Sequence, residues 1–287
     1  MNPGILTSGY APPQMPGGLL GVTTPVPMPG DSYAYDADAA DYIRRVEAAD
    51  GQPLEHRVRV AINTFVVSLK SDGTWPAIRA CCVMMGARTL AGALTPLVGG
   101  APTNANFVSG DYSRRTGLVG NGSTKNLNSN RAQNADPQDD LHMAVYVTAV
   151  PTNVSAFPVY IGVGQGSTGD VHVGVLTNGN DLFVRMRNAS SDTFAGVASA
   201  AGLVGVARSG ANWYAAGAGV TTRTFARASQ TPRSESTRVF SGLNVSNGVA
   251  SERSNARLAY YSIGRYLDLP MLRARLDRLS EDIRAAV

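Results

Sequence analysis

Residues 141–186 read LHMAVYVTAVPTNVSAFPVYIGVGQGSTGDVHVGVLTNGNDLFVRM, and this stretch carries the pattern of an antiparallel β-protein. Leu141–Val150, Val159–Val163, Val171–Leu176 and Leu182–Met186 are short runs rich in β-branched residues, set apart by Gly, Asn, Ser, Thr and Pro. Runs of that length with that punctuation predict strands. Asn178-Gly179-Asn180 reads as the hairpin turn between the last two, since Asn and Gly accept the positive φ of tight turns. Leu203–Val206, Trp213–Ala216, Thr222–Ala226, Thr237–Phe240 and Arg257–Ile263 repeat the pattern. Residues 89–267 are therefore predicted to form a mainly β, antiparallel sandwich.

Upstream of residue 89 the period changes to that of helices. Ala39, Ile43 and Val46 share one face of a helix that begins at Asp36 and stops at Gly51. Leu54, Val58, Ala61, Ile62, Phe65, Val66 and Leu69 mark a second, closed by Gly73. Thr74 as N-cap and Pro76 in the first turn predict a third, through Ile78, Cys81, Cys82 and Met85 to Gly86. The three make a predicted helical pedestal over residues 33–88. At the other end Leu272, Leu276, Leu279 and Ile283 form one stripe behind Asp268 and Pro270, so residues 268–287 are predicted as a C-terminal helix packed on the sandwich.

Residues 1–30 hold no charged side chain but 7 prolines and 6 glycines, a composition that excludes a helix or a central strand. Ordinary linkers are polar, whereas this segment is apolar and gains free energy only when covered. Residues 1–32 are thus predicted to be an extended docking arm, with Ile5, Leu6, Tyr10, Leu19, Leu20 and Val22 as its contacts.

The whole chain of 287 residues is long enough to bury a core without disulfides. Charged residues are 16% against a usual ~25%, which excludes a coiled coil or an acidic disordered tail. A net charge of +4 does not make nucleic acid the expected partner, and no apolar run reaches the ~18–20 residues of a membrane helix. The basic excess lies late: residues 182–287 carry 14 Arg against 7 acids. The adjacent Cys81 and Cys82, the only two cysteines, read as buried small hydrophobes of a chain made in a reducing compartment.

Residues 92–148, GALTPLVGGAPTNANFVSGDYSRRTGLVGNGSTKNLNSNRAQNADPQDDLHMAVYVT, and 256–279, ARLAYYSIGRYLDLPMLRARLDRL, resemble virion structural proteins of tailed phages or gene-transfer particles. The upstream DADAADYIRRVEAADGQPL fits the same pattern, so the resemblance covers about residues 36–287. It implies a concanavalin A-like or laminin-G-like jelly roll, made in the bacterial cytoplasm and exposed on the particle surface. It also implies a noncatalytic spike or fibre component, held by the arm to other virion proteins as a trimer or pentamer, touching host cell-surface polysaccharide. A capsid decoration or cement protein is the alternative, and a capsule depolymerase a third.

The residues offer little chemistry of their own. Retaining glycosidases need two carboxyl groups about 5–5.5 Å apart, yet no Glu occurs from residue 56 to 234, and Asp139 and Asp140 are neighbours whose side chains alternate in extended chain. His56 is expected on an exposed helix face, and His142 and His172 facing solvent from strands, with no G-x-S-x-G elbow to join them. GLVGNGSTK (117–125) and GVGQG (162–166) read as turns rather than phosphate or dinucleotide loops. No cofactor is expected. For glycan binding the candidates are Asn212, Trp213 and Tyr214, and Tyr112 with Arg114 and Arg115, since a pyranose offers one apolar face and many hydroxyls. No metal is expected; the laminin-G resemblance makes Asp170, Asn178, Asn180 and Asp181 the alternative, as Ca²⁺ ligands.

Overall fold

In the computed structural model the residues described are 26–27 (backbone only), 33–164, 169–199 and 201–287. The arm contacts Ile5, Leu6, Tyr10, Leu19, Leu20 and Val22 lie outside them. Two antiparallel sheets face each other as a jelly-roll-like sandwich, and a helical layer covers the outer face of the larger one. The larger sheet runs Thr221–Ala226, Trp213–Ala218, Gly202–Arg208, Leu141–Ala149, Arg257–Gly264, Ile78–Val83, Pro96–Val98, with Tyr112–Ser113 and Gly117–Val119 attached beside Arg257–Gly264. The smaller runs Asp192–Phe194, Leu182–Met186, Val171–Val175, Val159–Val163, Ser236–Val239, Asn126–Ala132, Thr103–Ala105.

Helices α1 (Ala37–Asp50), α2 (His56–Ser71) and α4 (Leu269–Ala286) form the covering layer, and α3 (Leu90–Ala93) is a single turn. Asp36 caps α1 by accepting from Asp38 N at 3.0 Å, and Gly51 ends it at φ +69°, a conformation that costs glycine least. Asp268 caps α4 through Met271 N at 2.8 Å, and the stripe Leu272, Leu276, Leu279 and Ile283 is buried against α2 and the sheet. Full burial of each such side chain contributes about 1.5–3 kcal/mol.

The larger sheet is apolar on both faces, because it separates two cores. Met143, Val145 and Val147 point between the sheets, while Ala144 and Tyr146 point to the helices; Tyr261 and Tyr260 divide the same way. This corrects one expectation. The predicted third helix is a single 3₁₀ turn, Trp75–Ala77, followed by the strand Ile78–Val83. Cys82 enters the inter-sheet core and Cys81 the helix-side core, both as free thiols. A strand buried on both faces reads as a continuous apolar run, and in so short a run helical spacing appears by coincidence.

That strand carries an irregularity. Ile263 pairs with Ala80 and Gly264 with Ile78, so Arg79 is an extra residue in a β-bulge. A Cβ on Gly264 would collide with the Ala77 carbonyl and lie 2.8 Å from Arg79 N, and one on Gly99 would lie 2.6 Å from Arg79 O. Glycine at both positions lets the backbone close around the bulge.

Candidate functional site

The bulge opens onto a cleft of about 500 Å³ at one end of the larger sheet, on its helix-covered side. Gly73, Pro76 and Ala77 supply the wall after α2; Arg79, Asp139, Asp140, Ser209, Arg265 and Tyr266 come from the ends of four strands or the loops beside them. A second hollow of about 410 Å³ shares Arg79 and Arg265 with it and adds Arg131, Asp136 and Pro137. The two hollows are lobes of one groove divided by two guanidinium groups.

Most charges of the groove are already paired. Asp140 accepts from Arg265 Nε at 2.6 Å and from Tyr266 N at 2.7 Å, which fixes the turn that presents the Tyr266 ring. Arg131 grips Asp136 with two bonds, at 2.6 and 3.0 Å. Arg79 is exposed and, among the described residues, has neither hydrogen-bond nor ion-pair partner. Tyr266 is 37% exposed, so part of its ring stays open to solvent.

The floor is stiffened by buried polar groups. His142 holds Arg265 O at 2.6 Å through Nδ1 and Ser262 Oγ at 3.0 Å through Nε2, and burial pushes its pKa down to about 4, leaving it neutral at pH 7. It therefore faces the interior, not solvent as the alternation of its strand suggested, because the larger sheet has no solvent face there. Arg208 donates to Met186 O at 2.8 and 3.0 Å, Gly210 O at 3.0 Å and Ala211 O at 3.2 Å. Arg187 donates to Asp136 O at 3.2 Å and to the Pro137 and Gln133 carbonyls. These two buried cations order the loops at 133–137 and 209–212; the charge of Asp136, then of Asp139, offsets part of the burial of Arg187, and that of Asp139 part of the burial of Arg208.

The expected glycan residues divide between the two ends of the sheet. Asn212 and Trp213 are exposed at the start of the strand beside Ser209, on the same rim as the cleft. Tyr214 alternates inward: it is buried, stacks on Phe225 and donates to Asp192 Oδ2 at 2.8 Å, so it presents no face to a ligand. Tyr112, Arg114 and Arg115 lie near the other end of Arg257–Gly264 and staple the helical layer down. Tyr112 donates to Ala87 O at 2.8 Å, Arg114 grips Glu55 at 2.5 and 3.0 Å, and Arg115 donates to Arg284 O at 2.8 Å. Sequence reading missed Arg79, Arg265 and Tyr266, because the groove is assembled from segments far apart in the chain.

The alternative calcium ligands do not converge. Asp170 precedes Val171, which pairs with Met186, whereas Asn178, Asn180 and Asp181 form the turn at the other end of that hairpin. Four or five residues of strand, roughly 15 Å, separate them. Asn178 Oδ1 accepts from Asn180 N and Asp181 N at 3.0 and 3.1 Å, an Asx turn, and Asp170 is buried against Arg233 at 2.8 Å. No group of three metal-ligating side chains occurs among the described residues. His172 is also buried, its ring edge on Phe183 and Nε2 on Ser191 at 2.9 Å. Gly162 and Val163 belong to a strand rather than to a turn. Among the described residues no helix is long and apolar enough to cross a membrane.

No protein-family profile and no curated protein matches the sequence. Among solved structures the chain is similar to the CBM40 domain of a Ruminococcus gnavus IT-sialidase bound to α2,3-sialyllactose, at 12% identity, over 49% of this chain and 84% of that one, with a TM-score of 0.39. It is similar to the botulinum neurotoxin serotype D binding domain at 6% identity, over 70% of this chain and 51% of that one, TM-score 0.46. It is also similar to a mutant Trypanosoma rangeli sialidase at 11% identity, over 78% of this chain and 39% of that one, TM-score 0.44. The chain thus spans about half of the neurotoxin domain and less of the full sialidase. Scores of this size carry nothing about ligand or activity.

Proposed function

We propose that this chain is a noncatalytic glycan-binding protein whose ligand lies along the rim groove. The observation that carries the reading is the half-open Tyr266 ring held beside fixed hydrogen-bonding groups, in a cleft of about 500 Å³. A pyranose needs an aromatic face for its apolar side and oriented polar groups for its hydroxyls. Binding without cleavage fits the carboxylates present: Asp139 and Asp140 are chain neighbours, and both Asp140 oxygens are occupied. The sequence resemblance to virion proteins supplies the setting, a head or tail spike or fibre component anchored by residues 1–32, where many copies raise weak single-site affinity through avidity.

The test is binding of the purified full chain to surface polysaccharide from a bacterial host, by calorimetry and by adsorption to cells. Tyr266→Ala is expected to weaken binding about fivefold with an unchanged thermal transition, in line with ~1 kcal/mol for an aromatic face. Equal adsorption to cells stripped of their polysaccharide would overturn the reading. Particles that lack the chain, adsorb normally and break at low salt would favour a decoration protein instead.

A further inference from the structure

Resting on the glycan reading of the groove, we infer that its ligand is an acidic oligosaccharide, one carboxylate of which is bound by Arg79. The groove contains three guanidinium groups. Arg265 is matched to Asp140 and Arg131 to Asp136, so neither has its planar fork free. Arg79 is the third, without a partner among the described residues, and it is placed by construction: the bulge removes it from the alternation of its strand, and Gly264 and Gly99 make room for that bulge. An extra residue that turns one side chain out of a sheet is a common device beside binding sites. Two parallel N–H donors on a planar cation match a carboxylate better than they match sugar hydroxyls.

The electrostatic balance agrees. Three lining Arg face three lining Asp, but behind Asp136 and Asp139 lie the buried Arg187 and Arg208, whose hydrogen bonds go to neutral carbonyl oxygens. The rim therefore carries an excess of positive charge with low-dielectric walls, which attracts an anion. Length follows from the sheet. Trp213 and the Arg265–Tyr266 turn sit at the same end of strands three places apart, about 14 Å at the ordinary strand spacing. Since Tyr214 points between the sheets, Trp213 projects on the helix side, the side of the cleft. A chain of three or more sugar units spans the two rings.

The experiment uses the full chain and two tetrasaccharides, a tetragalacturonate and an α2,8-linked tetrasialate, each beside its carboxyl-reduced neutral counterpart. At least one acid form is expected to bind ten times or more tighter than its reduced form, with the difference shrinking as salt rises. Arg79→Ala is expected to erase that difference, Arg79→Lys to restore only part of it, and Tyr266→Ala to weaken acid and reduced forms alike. Which acid form binds separates a uronate from a sialate ligand. Equal binding of acid and reduced forms, with Tyr266→Ala still weakening both, would overturn the carboxylate assignment and leave the glycan reading standing. Failure of all four ligands to bind would overturn both.

Discussion

The two ends of the larger sheet use the same residue types to opposite effect. At one end Tyr112, Arg114 and Arg115 each bond Glu55 or a backbone carbonyl across the layers, and the result is a staple between sheet and helices. At the other end Arg265 and Arg131 are taken up in the same manner, yet a bulge leaves Arg79 over, and a turn leaves part of a tyrosine ring uncovered. What separates a joint from a site is the residue left unsatisfied, not the kind of residue present.

The largest effect on this comparison comes from loosening the layer both ends share. Leu276 is buried between α4 and its neighbours, so Leu276→Ala is expected to cost about 3 kcal/mol, within the usual 2–5 for a buried leucine. Urea unfolding reads the loss directly. A value below about 1 kcal/mol would mean that the helices contribute little to the sandwich and that the staple is ornamental.

Acid should act next, and mainly through the cleft end and the smaller sheet. Burial pushes His142 down to about 4 and His172 to about 3, against 6.5 unfolded, so the unfolded chain binds more protons below pH 6.5. Stability from both is present above that value and is lost as pH falls toward 4. Glu252 works the other way: burial, then the nearby Asp170 charge, raises it from 4.5 to about 7, so its contribution is full below 4.5 and lost as pH rises through 7. Two protons against one leave a net slope of about 1.4 kcal/mol per pH unit between 6.5 and 4.5, with stability lost as pH falls. Glu252→Gln should steepen that slope and His142→Gln should flatten it in urea titrations at several pH values; a flat wild-type profile would contradict the buried neutral state of both histidines.

Much of the sandwich was legible because strands such as Val159–Val163 and Leu182–Met186 announce themselves by β-branched runs between turn residues, and these two have the predicted limits. Ile78–Val83 was not, since a strand enclosed by two cores has no polar face to show its period. The same enclosure hid the true direction of His142. Trp213 could be named as a candidate from its place beside Asn212 and Tyr214, though not its exposure, and a bulge is a property of register between two strands far apart in sequence, so nothing local to Arg79 distinguishes it from the other 22 arginines.

The staple end can be broken more cheaply than the layer beneath it. Arg114 bonds Glu55 with two nitrogens and the Gly86 and Ala87 carbonyls besides, at 2.5–3.2 Å and only part-buried, so Arg114→Ala is expected to cost about 2 kcal/mol, as for hydrogen bonds to a charged group. Glycan binding at the far rim should not change, because the strand Arg257–Gly264 that links the ends is held by neighbours on both sides along its length. Arg79→Ala gives the mirror image. An exposed guanidinium with no partner among the described residues contributes to no contact that folding needs, and its removal should move stability by less than about 0.5 kcal/mol while changing ligand discrimination. If Arg79→Ala instead destabilised the fold as Arg114→Ala does, Arg79 would be a second staple, and the contrast between the two ends would vanish with it.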